Sequence, residues 1–355
     1  MMPFRRVVVG VDFTDTSLAA ARWASVQLAP DAEIVLAHVT PTFVPPPFLR
    51  GYLPSVPEAD AEQETALYRG LRGFADLVGR SRTRVEMLSG RPPEALAEIA
   101  QRVGADVICV GKSAKRRGAA RFGATTATRL LARTGLPVVV VPSGARKTPE
   151  RILAAVGEHA QDDAVLRSAG LLAARWQAKL LALHVVEPSV RDHVHAMVSA
   201  VAHADGAPTG GSIDSRLQTL AEQWLASTLP RAGTVDDATA SLVRHGDPGQ
   251  EIITHARQAG ADLLVVGCGS SLPTVGGNPA CIGAGSTTRL VLWAAECPVL
   301  VLGRATVPRA PVIVALDAES RPRSTPFIVG RSGRRTVLVR PRPPRRPGPG
   351  GGDAA

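Results

Sequence analysis

Apolar positions along the chain come in short unbroken runs separated by longer stretches of mixed polarity. Arg6-Val-Val-Val-Gly-Val11 opens the pattern, and Ile34 to Val39, Thr83 to Met87, Asp106 to Val110 and Pro137 to Val141 continue it. Runs this short and this apolar are the pattern of strands buried on both faces of a parallel sheet. The stretches between them predict helices: one capped by Thr14, Thr16 or Ser17 and ending near Ala29, then Ala59 to about Val78, Pro93 to Gln101, and Thr125 to Arg133. Residues 41–57 hold six prolines and predict a loop. Strands alternating with helices imply right-handed crossovers, with helices covering both faces of a parallel sheet.

The pattern then occurs again. Gly104-Ala-Asp-Val-Ile-Cys-Val-Gly111 reappears 156 residues later as Gly260-Ala-Asp-Leu-Leu-Val-Val-Gly267. Gly90-Arg-Pro-Pro-Glu precedes the first copy and Gly246-Asp-Pro-Gly-Gln-Glu the second. Pro-led apolar runs follow both, Pro137–Val141 and Pro298–Leu302. One architecture is therefore built twice. The second copy predicts strands at Ile152–Val156, Leu180–Val186, Ser241–Arg244, 262–266 and 298–302. Its helices run to about Trp176 and through Leu217–Ser227, Gln250–Gln258 and 286–294, with a polar insertion over 188–208. The domains are read as 1–145 and 150–303, followed by a basic tail over 304–355. That tail predicts disorder, because Arg-Pro-Arg-Pro-Pro-Arg-Arg-Pro-Gly-Pro-Gly-Gly-Gly over 340–352 cannot pack. Within it, Val312–Asp317 resembles an opening strand, and Thr336–Val339 has the composition to pair with another segment.

Composition changes this picture little. Aromatics make up 4% of the chain, so the core is built from Val, Leu, Ile and Ala. The net charge of +10 is located mainly in the tail, where eleven Arg and three acids give +8. The body is nearly neutral, and specific nucleic-acid binding is not expected of it. Cys109, Cys268, Cys281 and Cys297 show no paired spacing, which fits a reducing compartment. Neither a signal peptide nor an apolar run of about 18 residues is read from the sequence. A cytoplasmic protein without a membrane partner is the expectation.

The candidate chemistry gathers after the strands of the first copy. Asp12 follows the first strand, the loop from Gly111 follows the fourth, and Gly123-Ala-Thr-Thr126 opens the last helix. Ligands of open parallel sheets bind at the carboxyl ends of strands, where the strand order reverses. Free N–H groups at a helix start suit an anion. Lys112, Lys115, Arg116, Arg117 and Arg121 crowd the same loop, so it reads as a phosphate site or as a solvated basic loop. His193, His195 and His203 lie near Asp192 and Asp205, but in a spacing that matches no metal site, and a solvated helix or loop is the reading. No Gly-x-Ser-x-Gly elbow and no complete P-loop is present; Gly111-Lys112-Ser113 copies only the end of the latter.

These motifs resemble the universal stress protein family over residues 4–303. That family carries Gly-x2-Gly-x9-Gly-(Ser/Thr) after the fourth strand and an Asp after the first. Asp12 and Gly111 match; Ala114 stands at the second Gly, and Ala124-Thr125 at the third, with Gly123 one place early. The resemblance implies two Rossmann-like α/β domains of the adenine nucleotide alpha hydrolase-like type, each with a five-stranded parallel sheet. It also implies an adenine-nucleotide site, with ATP as ligand and Mg2+ only in its company. The site would comprise Val11, Asp12, Val39, Val110, Gly111, Ala114, Gly123, Ala124, Thr125 and Thr126. The second copy has Gly157 where the acid belongs and an enlarged loop, so Gly267, Gly285, Ser286 and Thr287 form a degenerate site. His38 and His184 become framework residues at strand ends. The resemblance further implies pairing of the two copies through Pro137–Val141 and Pro298–Leu302 as an intramolecular pseudo-dimer, with a further homodimer open. The functional expectation is a stress-response regulatory protein that binds ATP in the first copy, with no catalytic residue assigned and hydrolysis at most weak. The alternative is an interaction or scaffold module whose nucleotide sites have decayed.

Overall fold

The apolar runs form strands whose successive side chains enter two different cores. Val7, Val9 and Val11 pack into one layer with Trp23, Leu28, Ile34 and Leu36. Val8 joins Val35, Leu96, Ile99 and Ile108 in the other. Alternate residues point to opposite faces, so an unbroken apolar run is what burial on both faces demands. The computed structural model describes residues 4–28, 30–41, 57–79, 82–112, 125–145, 147–157, 162–202, 210–231, 239–269, 284–303, 328–332 and 335–339.

The first copy comprises β1 (Arg6–Val11), α1 (Asp15–Trp23), β2 (Glu33–Thr40), α2 (Pro57–Val78), β3 (Thr83–Ser89), α3 (Pro92–Val103), β4 (Val107–Gly111), α4 (Thr126–Arg133) and β5 (Val138–Val141). The end of α1 widens into a π-helical turn over Ala24–Leu28. The second comprises β6 (Arg151–Val156), α5 (Asp162–Trp176), β7 (Lys179–Val186), α6 (Pro188–Ala202), α7 (Gly210–Arg231), β8 (Thr239–His245), α8 (Pro248–Ala259), β9 (Leu263–Gly267), α9 (Ser286–Ala294) and β10 (Val299–Leu302). The stretch 188–208, read from sequence as a polar insertion, carries the helix α6 over most of its length. His203 and Asp205 lie outside the described residues.

All ten strands join one sheet in the order β3-β2-β1-β4-β5-β10-β9-β6-β7-β8. Neighbours within each half are parallel, and β5 meets β10 antiparallel, with Val140 opposite Val299 and Val139 opposite Leu300. Both seam strands are fully apolar and buried. On one face Trp23 and Trp176 meet edge to face, ring centroids 6.3 Å apart, tying α1 to α5. Gly303 lies so near the Gly135 carbonyl that a Cβ there would fall 2.2 Å from the oxygen, so only glycine allows that approach.

The repeated octapeptide owes its Asp to the framework. Asp106 Oδ2 accepts the backbone N–H of Arg5 at 2.6 Å and of Arg6 at 2.9 Å, clamping the start of β1 to the start of β4. Asp262 does the same for Glu150 and Arg151, both at 3.1 Å. Gly104 and Gly260 end α3 and α8 in the left-handed conformation, at φ of 64° and 60°. Residues Met1–Pro308 form one compact unit and Arg309–Ala355 another. In the latter, β11 (Ile328–Ser332) pairs antiparallel with β12 (Arg335–Val339), which contains the Thr336–Val339 run; Val312–Asp317 lies outside the described residues. Among the described residues no helix is long and apolar enough to cross a membrane.

Candidate functional site

Register fixes what shares the rim of the first half. Val11 pairs with His38, and Gly10 pairs with Val110. One residue further on, Asp12 stands opposite Val39 and Val11 opposite Gly111, so the three gather, one step out of register, at the carboxyl ends of β1, β2 and β4. The sheet grows from β1 toward β2 on one side and toward β4 on the other, so they lie where the strand order reverses.

Asp12 is organised by its own turn. Its Oδ1 accepts the Thr14 N–H at 3.1 Å and the Thr14 hydroxyl at 2.5 Å. Thr14 in turn caps α1, its Oγ1 accepting from Ser17 N–H at 3.3 Å. Burial pushes the Asp12 carboxyl up, but the hydrogen bonds from Thr14 outweigh it and hold the group below the ordinary Asp value. Asp12 is thus a carboxylate, fixed in direction, at neutral pH. Phe13 next to it has a left-handed backbone, φ 61°, rare for a bulky residue. Its ring lies on His38, centroids 4.6 Å apart, and edge-on to Phe74. His38 donates through Nδ1 to the Val11 carbonyl at 2.8 Å, and His184 repeats this at Val156 at 2.9 Å. Both histidines join strand ends, the framework role the family resemblance implies.

Gly111 has a packing reason to be glycine. A Cβ would lie 2.6 Å from the Thr16 carbonyl carbon and 2.8 Å from Ser17 N, so the end of β4 presses directly on the first turn of α1. Thr125 is the N-cap of α4: its Oγ1 accepts from Thr128 N–H at 3.2 Å, and Thr126 begins the helix. With Thr128 N–H taken by that cap, the other first-turn N–H groups of α4 have no partner within the helix and suit an anion. Ala114, Gly123 and Ala124 lie outside the described residues, as do Lys115, Arg116, Arg117 and Arg121. Lys112 corrects the sequence reading. Rather than serving the phosphate loop, its ammonium donates to the carbonyl of Ala295 across the seam. Its neighbour Gly111 pairs with Val141 of β5, which puts Lys112 beside that seam.

The second half has a corresponding crevice. A cavity of about 160 Å³ is lined by Val156, Gly157, Val185, Glu187, Gly267 and Thr287 among others. Next to it, about 320 Å³ is bounded by Asp247, Ser286, Thr287, Arg289 and Leu290. Gly267, Ser286 and Thr287 are thus brought together. Gly285 stands at the N-cap of α9, where a Cβ would fall 1.9 Å from the Gly269 carbonyl oxygen. Sequence reasoning missed Glu187, Asp247 and Arg289. The signal for Asp247 was the repeat itself: it occupies the position of Arg91 in the first copy. Both precede a helix that starts with proline, but Asp247 Oδ1 accepts Gln250 N–H at 2.9 Å, whereas Arg91 makes no side-chain cap. The second crevice therefore has no acid at Gly157 and carries a carboxylate beside the α9 start.

His195 of α6 and Asp214 of α7 are 2.7 Å apart through Nε2 and Oδ1. Hydrogen bonding to His195 holds the Asp214 carboxyl below its ordinary value against a smaller burial penalty. Among the described residues no three His, Cys, Asp or Glu side chains converge as a metal site.

Comparison with known proteins matches this geometry to a family. The sequence profile of the universal stress protein family matches residues 3–142 and again 149–303. The fold is similar to that of a universal stress protein from Archaeoglobus fulgidus DSM 4304, with 15% identity, 84% of this chain and 98% of that one covered, and a TM-score of 0.52. It is equally similar to a functionally unknown protein from Pseudomonas aeruginosa PAO1, at 15% identity over 86% and 94% of the two chains, TM-score 0.52. A search of curated proteins finds no match.

Proposed function

The chain belongs to the universal stress protein family as two consecutive copies of its domain, and from that premise we propose that it is a stress-response regulatory protein holding one adenine nucleotide, ATP, in the first copy. The observation that carries this reading is the place of the carboxylate in each crevice, Asp12 after β1 in the first and Asp247 beside the α9 start in the second. The first has the oriented carboxylate of Asp12 for ribose or adenine donors and Arg91, exposed, at the position before α3. The second has Gly157 and the Asp247 carboxylate instead. A nucleotide favours the first, because its nucleoside finds the Asp12 acceptor there, whereas in the second Asp247 lies beside the α9 start and offsets the pull of Arg289 on phosphate.

In the first crevice Asp12 orients the nucleoside, the backbone at Val39, Val110 and Gly111 lines its base and ribose, and the start of α4 at Thr125 and Thr126 takes the phosphates. Thr125 Oγ1 accepts Thr128 N–H, and its hydroxyl hydrogen can turn from the Thr128 hydroxyl, 3.4 Å away, to a phosphate oxygen. Mg2+ enters only with the nucleotide. No side chain is assigned to hydrolysis, so occupancy itself is the signal. The antiparallel β5–β10 join supports reading the two copies as an intramolecular pseudo-dimer in which one crevice is loaded and the other is not.

Calorimetric titration of ATP into the full chain tests this. The expected result is one site with a Kd on the order of 1–100 µM, lost in Asp12→Ala and weakened in Arg91→Ala. Heat no greater than dilution, or binding untouched by Asp12→Ala, would favour the alternative of an interaction module with decayed sites.

A further inference from the structure

We propose that Phe13 is a positioning residue of the first crevice: its ring, lodged against His38 and Phe74, holds the backbone turn that aims the Asp12 carboxylate at the ligand. The inference rests on the nucleotide reading for what that carboxylate meets, but not for the positioning itself. Asp12 and Thr14 are joined around Phe13, because Asp12 Oδ1 accepts both the Thr14 N–H at 3.1 Å and the Thr14 hydroxyl at 2.5 Å. Such a side-chain turn closes over the residue between its ends. That residue has φ 61°, a left-handed backbone that a Cβ makes unfavourable. A residue stays there only where its surroundings over-determine it. At 39% exposure Phe13 is not held by deep burial. What holds it is aromatic: its ring centroid lies 4.6 Å from that of His38, tilted by 45°, and 6.2 Å from that of Phe74, edge-on. His38 is itself fixed through Nδ1 to the Val11 carbonyl at 2.8 Å, one residue before Asp12.

The second copy supplies the same ring from elsewhere. His184 bonds the Val156 carbonyl as His38 bonds that of Val11, and its ring is covered by Trp224 of α7, centroids 4.8 Å apart. The helices α2 and α7 are both 22 residues long, and each buries one leucine completely, Leu71 and Leu225. Directly before these leucines stand Gly70 and Trp224. A Cβ on Gly70 would lie 3.6 Å from the Phe13 ring, so that ring takes the room which the Trp224 side chain fills in the second half. The aromatic partner of the histidine thus comes from a helix in one copy and from the loop after β1 in the other. Only the copy with the loop-borne ring has an acid directly after its first strand, since Gly157 follows β6. A ring needed merely to cover the histidine would serve equally well on the helix. On the loop it also fixes its neighbour Asp12, whose carboxyl burial pushes up and hydrogen bonds from Thr14 and Ser17 hold, on balance, below the ordinary Asp value.

The test follows the Asp12 carboxyl by NMR titration in the full chain, its signal assigned by absence in Asp12→Asn, with ATP affinity measured alongside by calorimetry. Phe13→Ala keeps the left-handed strain and loses the ring, so the turn should open and release Thr14. The Asp12 carboxyl should then titrate higher than in the parent, because the bonds that lowered it are gone, and ATP should bind about tenfold more weakly. Phe13→Gly removes ring and strain together and should fall between the Ala variant and the parent. Phe13→Tyr keeps the ring and should match the parent in both readouts. A side chain that only packs would lower the thermal midpoint and leave the Asp12 titration where it was. The proposal is overturned if the folded Ala variant titrates like the parent, or if Phe13→Tyr shifts as far as Phe13→Ala. Should Phe13→Ala not fold, Phe13→Leu, apolar but without a ring, takes its place in the same comparison. A parent chain that binds no ATP would count against the nucleotide reading alone, and the Asp12 titration would still judge the positioning.

Discussion

Asp106 accepts the backbone N–H of Arg5 at 2.6 Å, across 101 residues of chain, and so pins the entry of the first strand to the entry of the fourth. The same carboxylate oxygen takes Arg6 N–H, and Asp262 performs the identical service in the second half. Two donors at the strand start thereby gain a charged acceptor. Asp106→Ala should cost about 1–2 kcal/mol, the low end for charge-assisted bonds because the site is partly exposed. Urea denaturation checks this; a loss near zero would show that the clamp only decorates the strand start.

Gly111 shows how a residue of the nucleotide motif also belongs to the framework. Gly111→Ala places a methyl group 2.6 Å from the Thr16 carbonyl carbon and 2.8 Å from Ser17 N, contacts with backbone that only a shift of the helix relieves. Overpacking of this kind costs about 1–3 kcal/mol. The first turn of α1 must move, and with it Thr14 and the orientation of Asp12. The variant should therefore lose both stability and ATP affinity. Unchanged stability with lost affinity would instead make Gly111 a purely ligand-facing residue.

These two residues also mark what the sequence disclosed. The alternation of apolar runs and helices was legible because burial on both faces leaves no polar position in a strand, as Val7 to Val11 show. The duplication was legible in the octapeptide, but the role of its Asp was not, since Arg5 and Arg6 lie about a hundred residues away. Lys112 read as part of a basic loop, serving phosphate or solvent, because its neighbours are basic, while its acceptor, Ala295, belongs to the other copy. The segment 188–208 looked merely polar because α6 contributes few residues to the core, with Met197 63% exposed. What stayed hidden in each case was a partner distant in sequence.

The seam makes its own prediction. Gly303→Ala drives a methyl group against the Gly135 and Leu136 carbonyls. Those residues lead into β5, while Gly303 directly follows β10, so the strain falls on the antiparallel contact between β5 and β10. Amide hydrogen exchange should quicken at Val138–Val141 and Val299–Leu302 while β3 and β8, at the outer edges, stay as they were. Equal quickening everywhere would mean that the sheet yields as one unit.

The α6–α7 contact should fail in acid. The Asp214 carboxyl is held below its ordinary value by His195, with Arg191 and His245 adding to it. A depressed folded-state value means that the stabilisation is present above the unfolded Asp value of 3.8 and is lost as pH falls through the folded one. Exchange protection in α6 should therefore be retained at pH 5 and decline below about pH 4. Asp214→Asn should remove the acid step; an identical profile in that variant would place the acid sensitivity elsewhere.

If charge is what separates the two crevices, the second can be repaired. Gly157 does not have a left-handed backbone, so an Asp there meets no backbone strain. Asp247 must lose its charge but keep its hydrogen bond to Gln250 N–H, because an N-cap replaced by Ala costs about 1 kcal/mol. Asn does both. Arg289, already beside Ser286 and Thr287, then faces the cavity without a competing carboxylate. The double variant Gly157→Asp, Asp247→Asn should raise the ATP stoichiometry from one to two, with the new site weaker than the first. Either substitution alone should fall short, since one supplies the nucleoside anchor and the other removes the repulsion. A stoichiometry that stays at one in the folded double variant would mean that the shape of the loop before Gly285, not charge, closed the second crevice to nucleotide.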